Sequence, residues 1–142
     1  CNYGETCVAG KCTCSGTLGT FYRDADGDMH GNSSMKRMAC GSPPSGWVAS
    51  SDDCCDSDNR AFPGQTTGFE TATNCAARGF DFNCDDFEEY GYPNFASGTC
   101  CVSSQDGWAT TAIPNCGETK DFQACDTNTC NVVSGTLTQV CR

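Results

Sequence analysis

Fifteen cysteines in 142 residues are the feature that most narrows what this chain can fold into. That density marks a disulfide scaffold from an oxidising compartment, in which crosslinks replace much of a hydrophobic core. Spacings such as Cys12-x-Cys14 and the neighbours Cys54-Cys55 and Cys100-Cys101 suit secreted frameworks, and no Cys-x-x-Cys pair of the metal-thiolate kind occurs. An odd count leaves one thiol without an internal partner. That thiol bonds a neighbouring chain, stays free, or, if it is Cys1, carries a lipid as at the start of a mature bacterial lipoprotein. The first residue is Cys1 and not Met, so a processed product or a segment of something longer is expected. There is no signal peptide and no apolar stretch of membrane-spanning length.

Composition and turn residues divide the chain into three segments. Residues 1–19 carry Cys1, Cys7, Cys12 and Cys14 with Gly4, Gly10 and Gly16 between them, a knot of turns with almost no apolar side chains. Interleaved pairing, Cys1 with Cys12 and Cys7 with Cys14, is preferred among the three connectivities that four cysteines allow. Residues 20–89 form an aspartate-rich module. Within it Phe21-Tyr22-Arg23 and Gly46-Trp47-Val48-Ala49 read as strands joined through the turn at Pro43–Gly46. A single helical turn near Ser57–Ala61 has Asp56 or Ser57 as its cap. Residues 90–142 form a C-terminal cysteine-rich β module, with Trp108 and Phe122 as anchors and Thr136–Val140 as a strand. The expected fold is small, disulfide-rich and mostly β or irregular. Short antiparallel strands and long loops are stapled by about seven disulfides and a bound cation.

A net charge of −10 disfavours nucleic acid and anionic membranes as partners. Twelve of the eighteen acidic residues lie in three runs, Asp24–Asp28, Asp52–Asp58 and Asp81–Glu89. Clustered like charges cost stability unless water solvates them or a cation bridges them, so the distribution favours metal binding over a plain acidic surface. The first run carries the sharper signal. An EF-hand-like loop beginning at Asp24 takes side-chain oxygens from Asp24, Asp26 and Asp28 and the carbonyl of His30. Its sixth position, normally glycine, is Met29, and its twelfth is Met35, which has no carboxylate. Calcium bound here needs ligands from elsewhere in the chain, and Asp52, Asp53, Asp56 and Asp58 are the nearest reserve.

The middle segment also carries an ordered series: Tyr22-Arg23-Asp24-Ala25-Asp26-Gly27-Asp28, Ala39-Cys40, Pro44-Ser45-Gly46-Trp47-Val48, Asp53-Cys54-Cys55-Asp56, Phe62-Pro63-Gly64, Glu70 and Asn83-Cys84-Asp85. Over residues 21–86 this series resembles the cysteine-rich metal-binding repeat of bacterial surface proteins, a MopE-like group that includes a copper-associated surface protein of methanotrophs. The resemblance implies Asp24, Asp26, Asp28, Asp53 and Asp56 as metal ligands, with Cys40–Cys54 and Cys75–Cys84 as disulfides. The chain departs from the pattern in having Met29 in place of glycine and Cys55 in place of a further aspartate. Cys55 is then available to bridge Cys100 or Cys101.

Other chemistries compete with calcium. Met29, His30, Met35 and Met38 fall within ten residues and offer thioether and imidazole donors suited to Cu+, unless the methionines simply pack beneath the loop. Tyr90, Tyr92, Phe95 and Trp108 would make a glycan- or ligand-contacting patch if exposed, and core packing is their other use. A solitary histidine, the absence of a nucleophile elbow and the small loop-rich scaffold argue against an enzyme, the paired acids Asp85, Asp86, Glu88 and Glu89 notwithstanding. Asn32-Ser33-Ser34 is an N-glycosylation acceptor pattern expected on a surface loop. The expected function is a calcium-stabilised structural module of an extracellular surface protein, adhesin or filament. Its partners would be other copies of itself or neighbouring surface proteins.

Overall fold

The computed structural model describes residues 1–103 and 105–142. Among the described residues there is no helix, so none is long and apolar enough to cross a membrane. The fold is small and disulfide-rich, with short antiparallel strands and long loops between them. The residues fall into two compact units. One comprises Cys1–Gln65, Thr73–Arg78 and Phe82–Asp85, and the other Thr66–Ala72, Gly79–Asp81 and Asp86–Arg142. Segment 1–19 thus joins most of segment 20–89 in the first unit, while residues 66–72, 79–81 and 86–89 of that segment belong to the second.

The first unit opens with a hairpin of β1 (Thr6–Val8) and β2 (Lys11–Thr13). Its two-residue loop, Ala9-Gly10, has positive φ at both positions (50° and 80°), as the tight turns that match strand twist require. A three-stranded sheet follows, in the order β4 (Asn32–Cys40), β3 (Leu18–Arg23), β5 (Trp47–Val48). The strands expected at Phe21–Arg23 and Gly46–Ala49 are the cores of β3 and β5. The register runs from Leu18↔Cys40 to Tyr22↔Lys36, then jumps to Arg23↔Asn32, so that Ser33, Ser34 and Met35 bulge from β4. Asn32 therefore lies on a strand and is half-buried, not on a free surface loop.

The expected helical turn at Ser57–Ala61 is instead a pair of successive turns. Asp58 N donates to Cys55 O (2.9 Å) and Ala61 N to Asp58 O (2.9 Å). The Asp58 carboxylate holds this geometry by accepting from Arg60 Nε (2.8 Å), Arg60 Nη2 (2.7 Å) and Asn74 N (2.9 Å). Phe21, Ala39, Cys55, Ala61 and Phe82 are the buried apolar residues of this unit, and the Arg60 guanidinium lies 5.1 Å from the Phe82 ring. So small a core cannot order the long loops, and crosslinks must do it.

In the second unit β6 (Gly107–Trp108), β7 (Thr119–Asp126) and β8 (Asn131–Thr138) form a sheet in that order. Strand β8 begins before the expected Thr136–Val140 run and ends within it. Trp108 is buried, donates from Nε1 to Tyr92 O (2.7 Å) and meets Phe122 edge-on at 5.2 Å. Both expected anchors therefore pack together, and Trp108 is a core residue, not part of an exposed aromatic patch.

Seven disulfides close the scaffold, and several differ from expectation. Cys1–Cys12 forms as expected, so the Cys1 sulfur is not available to a lipid. Cys7 does not reach Cys14: it stands opposite Cys12 in the hairpin, whose sulfur Cys1 already takes, and remains exposed and free. Cys14 instead bonds Cys40, because β3 and β4 bring Leu18 opposite Cys40 and leave Cys14 just beyond that strand end (Cα–Cα 5.5 Å). The implied Cys40–Cys54 and Cys75–Cys84 bridges are replaced by Cys54–Cys84 and Cys55–Cys75. In both cases the neighbouring cysteines reach different partners: Cys100–Cys125 and Cys101–Cys130 form likewise and exclude Cys55 as their partner, and Cys116–Cys141 is the last bridge. In the chain-entropy view, bridges closing loops of this length contribute about 3–4 kcal/mol each.

Candidate metal centre

The loop that leaves β3 at Arg23 has two faces. Asp24, Asp26, Asp28 and His30 are half-buried, while Ala25, Gly27 and Met29 between them are exposed. Short hydrogen bonds set this alternation. Asp24 Oδ1 accepts from Gly27 N (2.7 Å), Asp26 Oδ1 from Asp28 N (3.3 Å) and Asp28 Oδ1 from His30 N (2.7 Å). Each aspartate thus spends one oxygen on its own loop, which orients the other. Met29 completes the turn with φ 77°, the left-handed conformation that the glycine of an EF-hand loop normally supplies. Its side chain is 74% exposed, so the backbone requirement, and not packing, governs this position.

The segment at Asp53–Asp56 closes on this loop. Gly31 makes the approach possible, since a Cβ there would lie 2.7 Å from Ser50 O and 2.7 Å from Tyr22 Cβ. Asp53 N donates to Gly31 O (3.3 Å), and Ala25 N donates to Asp56 Oδ1 (2.5 Å) across 31 positions of chain. Asp53 repeats the pattern of the loop, accepting from Cys55 N at Oδ1 (2.6 Å). Carboxylate oxygens of Asp24, Asp26 and Asp28 lie within 4.8 Å of one another, and so do those of Asp26, Asp53 and Asp56. The Oδ2 atoms of Asp26, Asp28 and Asp53 are buried and have no hydrogen-bond partner.

Unpartnered buried carboxylate oxygens are costly when ionised, which favours the protonated form. Burial, then the Asp28, Asp26 and Asp56 charges, push Asp53 up to about 6, against the lowering effect of the Cys55 amide. Asp26 is raised by burial and by the Asp28 charge, and Asp28 by burial foremost, despite the His30 amide. A donor set made only of carboxylate oxygens, spaced for one small sphere and short of positive charge, fits a hard divalent cation. Oxygen ligands of calcium sit at about 2.3–2.6 Å from the ion, so two of them are separated by at most about 5 Å.

Asp52 and Asp58 are in neither set, and the His30 ring, as distinct from the carbonyl expected as a ligand, is engaged elsewhere. His30 turns its Nδ1 to Asp52 Oδ1 (2.8 Å) and stacks on Phe62 with ring centroids 5.5 Å apart. Asp52 also accepts from the Ser50 hydroxyl, and these two hydrogen bonds, the serine first, hold its carboxyl below the usual range. Sequence reasoning missed this Ser50–Asp52–His30 chain, whose members become neighbours only when Gly31 folds back. Its order does not activate a nucleophile, because the serine meets the carboxylate and not the imidazole. Asp58 is buried against Arg60, whose side-chain hydrogen bonds lower its pKa, and so leaves the ligand reserve. Met29, Met35 and Met38 are 74%, 50% and 45% exposed, so none is apolar filler under the loop.

No family model, curated protein or solved structure matches this chain.

Two outcomes follow. Met29→Gly relieves a left-handed residue whose side chain packs on little, and raises stability by about 1 kcal/mol in thermal melts. In the presence of chelator the stability of the chain falls as pH rises from about 4 through 6, because folded Asp53 holds its proton more tightly than the unfolded chain does. Excess calcium reverses that slope, since the ion binds the ionised form. Melting temperatures across this range, with and without calcium, measure both slopes.

Proposed function

We propose that the chain is a non-catalytic extracellular module that calcium stabilises, a structural piece of a surface protein, adhesin or filament. Seven disulfides and the lack of a membrane-crossing helix among the described residues are consistent with an extracellular or secreted protein. The observation that carries the calcium reading is the gathering of carboxylate oxygens in two sets, Asp24–Asp26–Asp28 and Asp26–Asp53–Asp56, in which Asp26, Asp28 and Asp53 each bury an oxygen without a hydrogen-bond partner. Two of these belong to the loop after β3 and the third to a segment that Cys54–Cys84 and Cys55–Cys75 hold in place. A cation at that point pins remote stretches of backbone together, so binding energy becomes folding energy.

The chemistry favours stabilisation over catalysis. The sole histidine is engaged by Asp52, and the late acidic run is partly engaged as well: Glu88 Oε1 accepts from Phe80 N (2.8 Å), and Glu89 Oε2 pairs with the Arg142 guanidinium at 3.6 Å. The oxygen-only donor set suits calcium better than Cu+, which prefers sulfur and imidazole. The exposed, unpaired Cys7 gives such a module a point for a covalent link to a second copy or a neighbouring surface protein.

Chelation tests this reading. With disulfides intact, stripping calcium is expected to lower the melting temperature by several degrees, and adding it back to restore the original value. A melting curve unchanged by chelator, in protein shown to have lost its bound ions, would count decisively against it.

A further inference from the structure

The β1–β2 hairpin gathers three sulfurs where a disulfide needs two. The Sγ atoms of Cys1, Cys7 and Cys12 all lie within 4.8 Å of one another. Cys1 and Cys12 are bonded, Cys7 is free, and all three residues are exposed. Cys7 also stands directly opposite Cys12 in the hairpin register. Residues so opposed on antiparallel strands have Cα atoms about 4.5–5.5 Å apart, within the range that a disulfide spans. Cys12 can therefore bond either of two sulfurs while the hairpin backbone stays as it is.

We propose that Cys1 and Cys7 compete for Cys12 by thiol–disulfide exchange, so that the free thiol moves between the hairpin and the segment before it. The Cys7 thiolate attacks Cys12 Sγ, and the Cys7–Cys12 bond forms as the Cys1–Cys12 bond breaks. Cys1 leaves as a thiolate and takes up the proton that Cys7 gave to water. One S–S bond replaces another, so no oxidant or reductant is consumed. Loop entropy does not decide between the two bonds. Cys1–Cys12 closes a separation of 11 positions and Cys7–Cys12 about half as many, and a doubling of loop length shifts closure by only about threefold. What changes is the hold on residues 1–5, which lie along the end of β4. Cys40 N donates to Tyr3 O (2.8 Å), and a Cβ on Gly4 would stand 2.7 Å from Cys40 O. Exchange leaves that segment to noncovalent contacts alone and crosslinks the hairpin across its strands. The covalent link to a neighbour proposed above for Cys7 then falls to Cys1, although the exchange itself needs neither a partner nor calcium.

Disulfide mapping of the full, oxidised chain tests the exchange. The protein is held at mildly alkaline pH, where thiolate forms, then trapped with N-ethylmaleimide in mild acid and digested without reduction for mass spectrometry. Label is expected on both Cys7 and Cys1, with peptides joined through Cys1–Cys12 and through Cys7–Cys12. Cys7→Ser is expected to lose the label on Cys1, and Cys1→Ser to form Cys7–Cys12 and take no label. The other six bridges, mapped in the same digest, show whether each variant has folded; where they fail to form, the wild-type pattern decides. Wild-type label confined to one of the two cysteines overturns the exchange, as does label on Cys1 that persists in Cys7→Ser. A folded Cys1→Ser chain with Cys7 and Cys12 both labelled overturns it equally. None of these results bears on the calcium module, which chelation tests separately.

Discussion

Carboxylates buried together without counter-charge are the constraint on which the first unit turns. Asp26, Asp28 and Asp53 each give one oxygen to a backbone amide and bury the other with no partner. Such an arrangement is unfavourable in an ordinary protein, because each charge loses water and faces its neighbours at short range. It becomes favourable when a cation supplies the missing interaction. The raised proton affinity of Asp53 expresses the same imbalance: without an ion, a proton is the next available positive charge.

The rest of the unit keeps those oxygens in place with little apolar burial. Loop hydrogen bonds set each aspartate, the register jump in β4 makes room for the turn, and Gly31 lets the Asp53 segment approach. Adjacent Cys54 and Cys55 then fasten that segment at two points, to Cys84 and Cys75. Disulfides act chiefly on the unfolded chain, whereas a cation bound at the aspartates would act on the folded one, so the two devices would be complementary. The second unit has no such acidic centre among its described residues; Trp108, Phe122 and Tyr92 pack edge to face there, under a sheet closed by Cys116–Cys141 and its neighbours.

Much of this was legible in the residues, for identifiable reasons. Alternate aspartates are a local pattern, so Asp24, Asp26 and Asp28 stood out; charge clustering pointed to Asp52, Asp53, Asp56 and Asp58 alike, and only the resemblance singled out Asp53 and Asp56. Parity alone foretold one free cysteine, but not that it would be Cys7. Pairing depends on which strands run side by side, and β4 carried no signal: its polar, positively charged Ser33–Arg37 stretch lies exposed at a sheet edge, where alternation has no buried face to report. With β4 unseen, the Cys14–Cys40 bridge could not be anticipated. Asp58 looked like another ligand because its partner Arg60 is close in sequence, while the Asn74 amide that completes its burial is not. Met29 was legible as an oddity, and its positive φ shows that the loop keeps the shape and tolerates the wrong residue.

The most direct test is a crystal structure of the calcium-bound chain with data collected for the anomalous signal of calcium. The account predicts anomalous density about 2.3–2.6 Å from Oδ2 of Asp26 and Asp53, with Asp28 closing on the same cluster. Well-ordered crystals grown in calcium that show no such density there, with those carboxylates turned out into solvent, would contradict it.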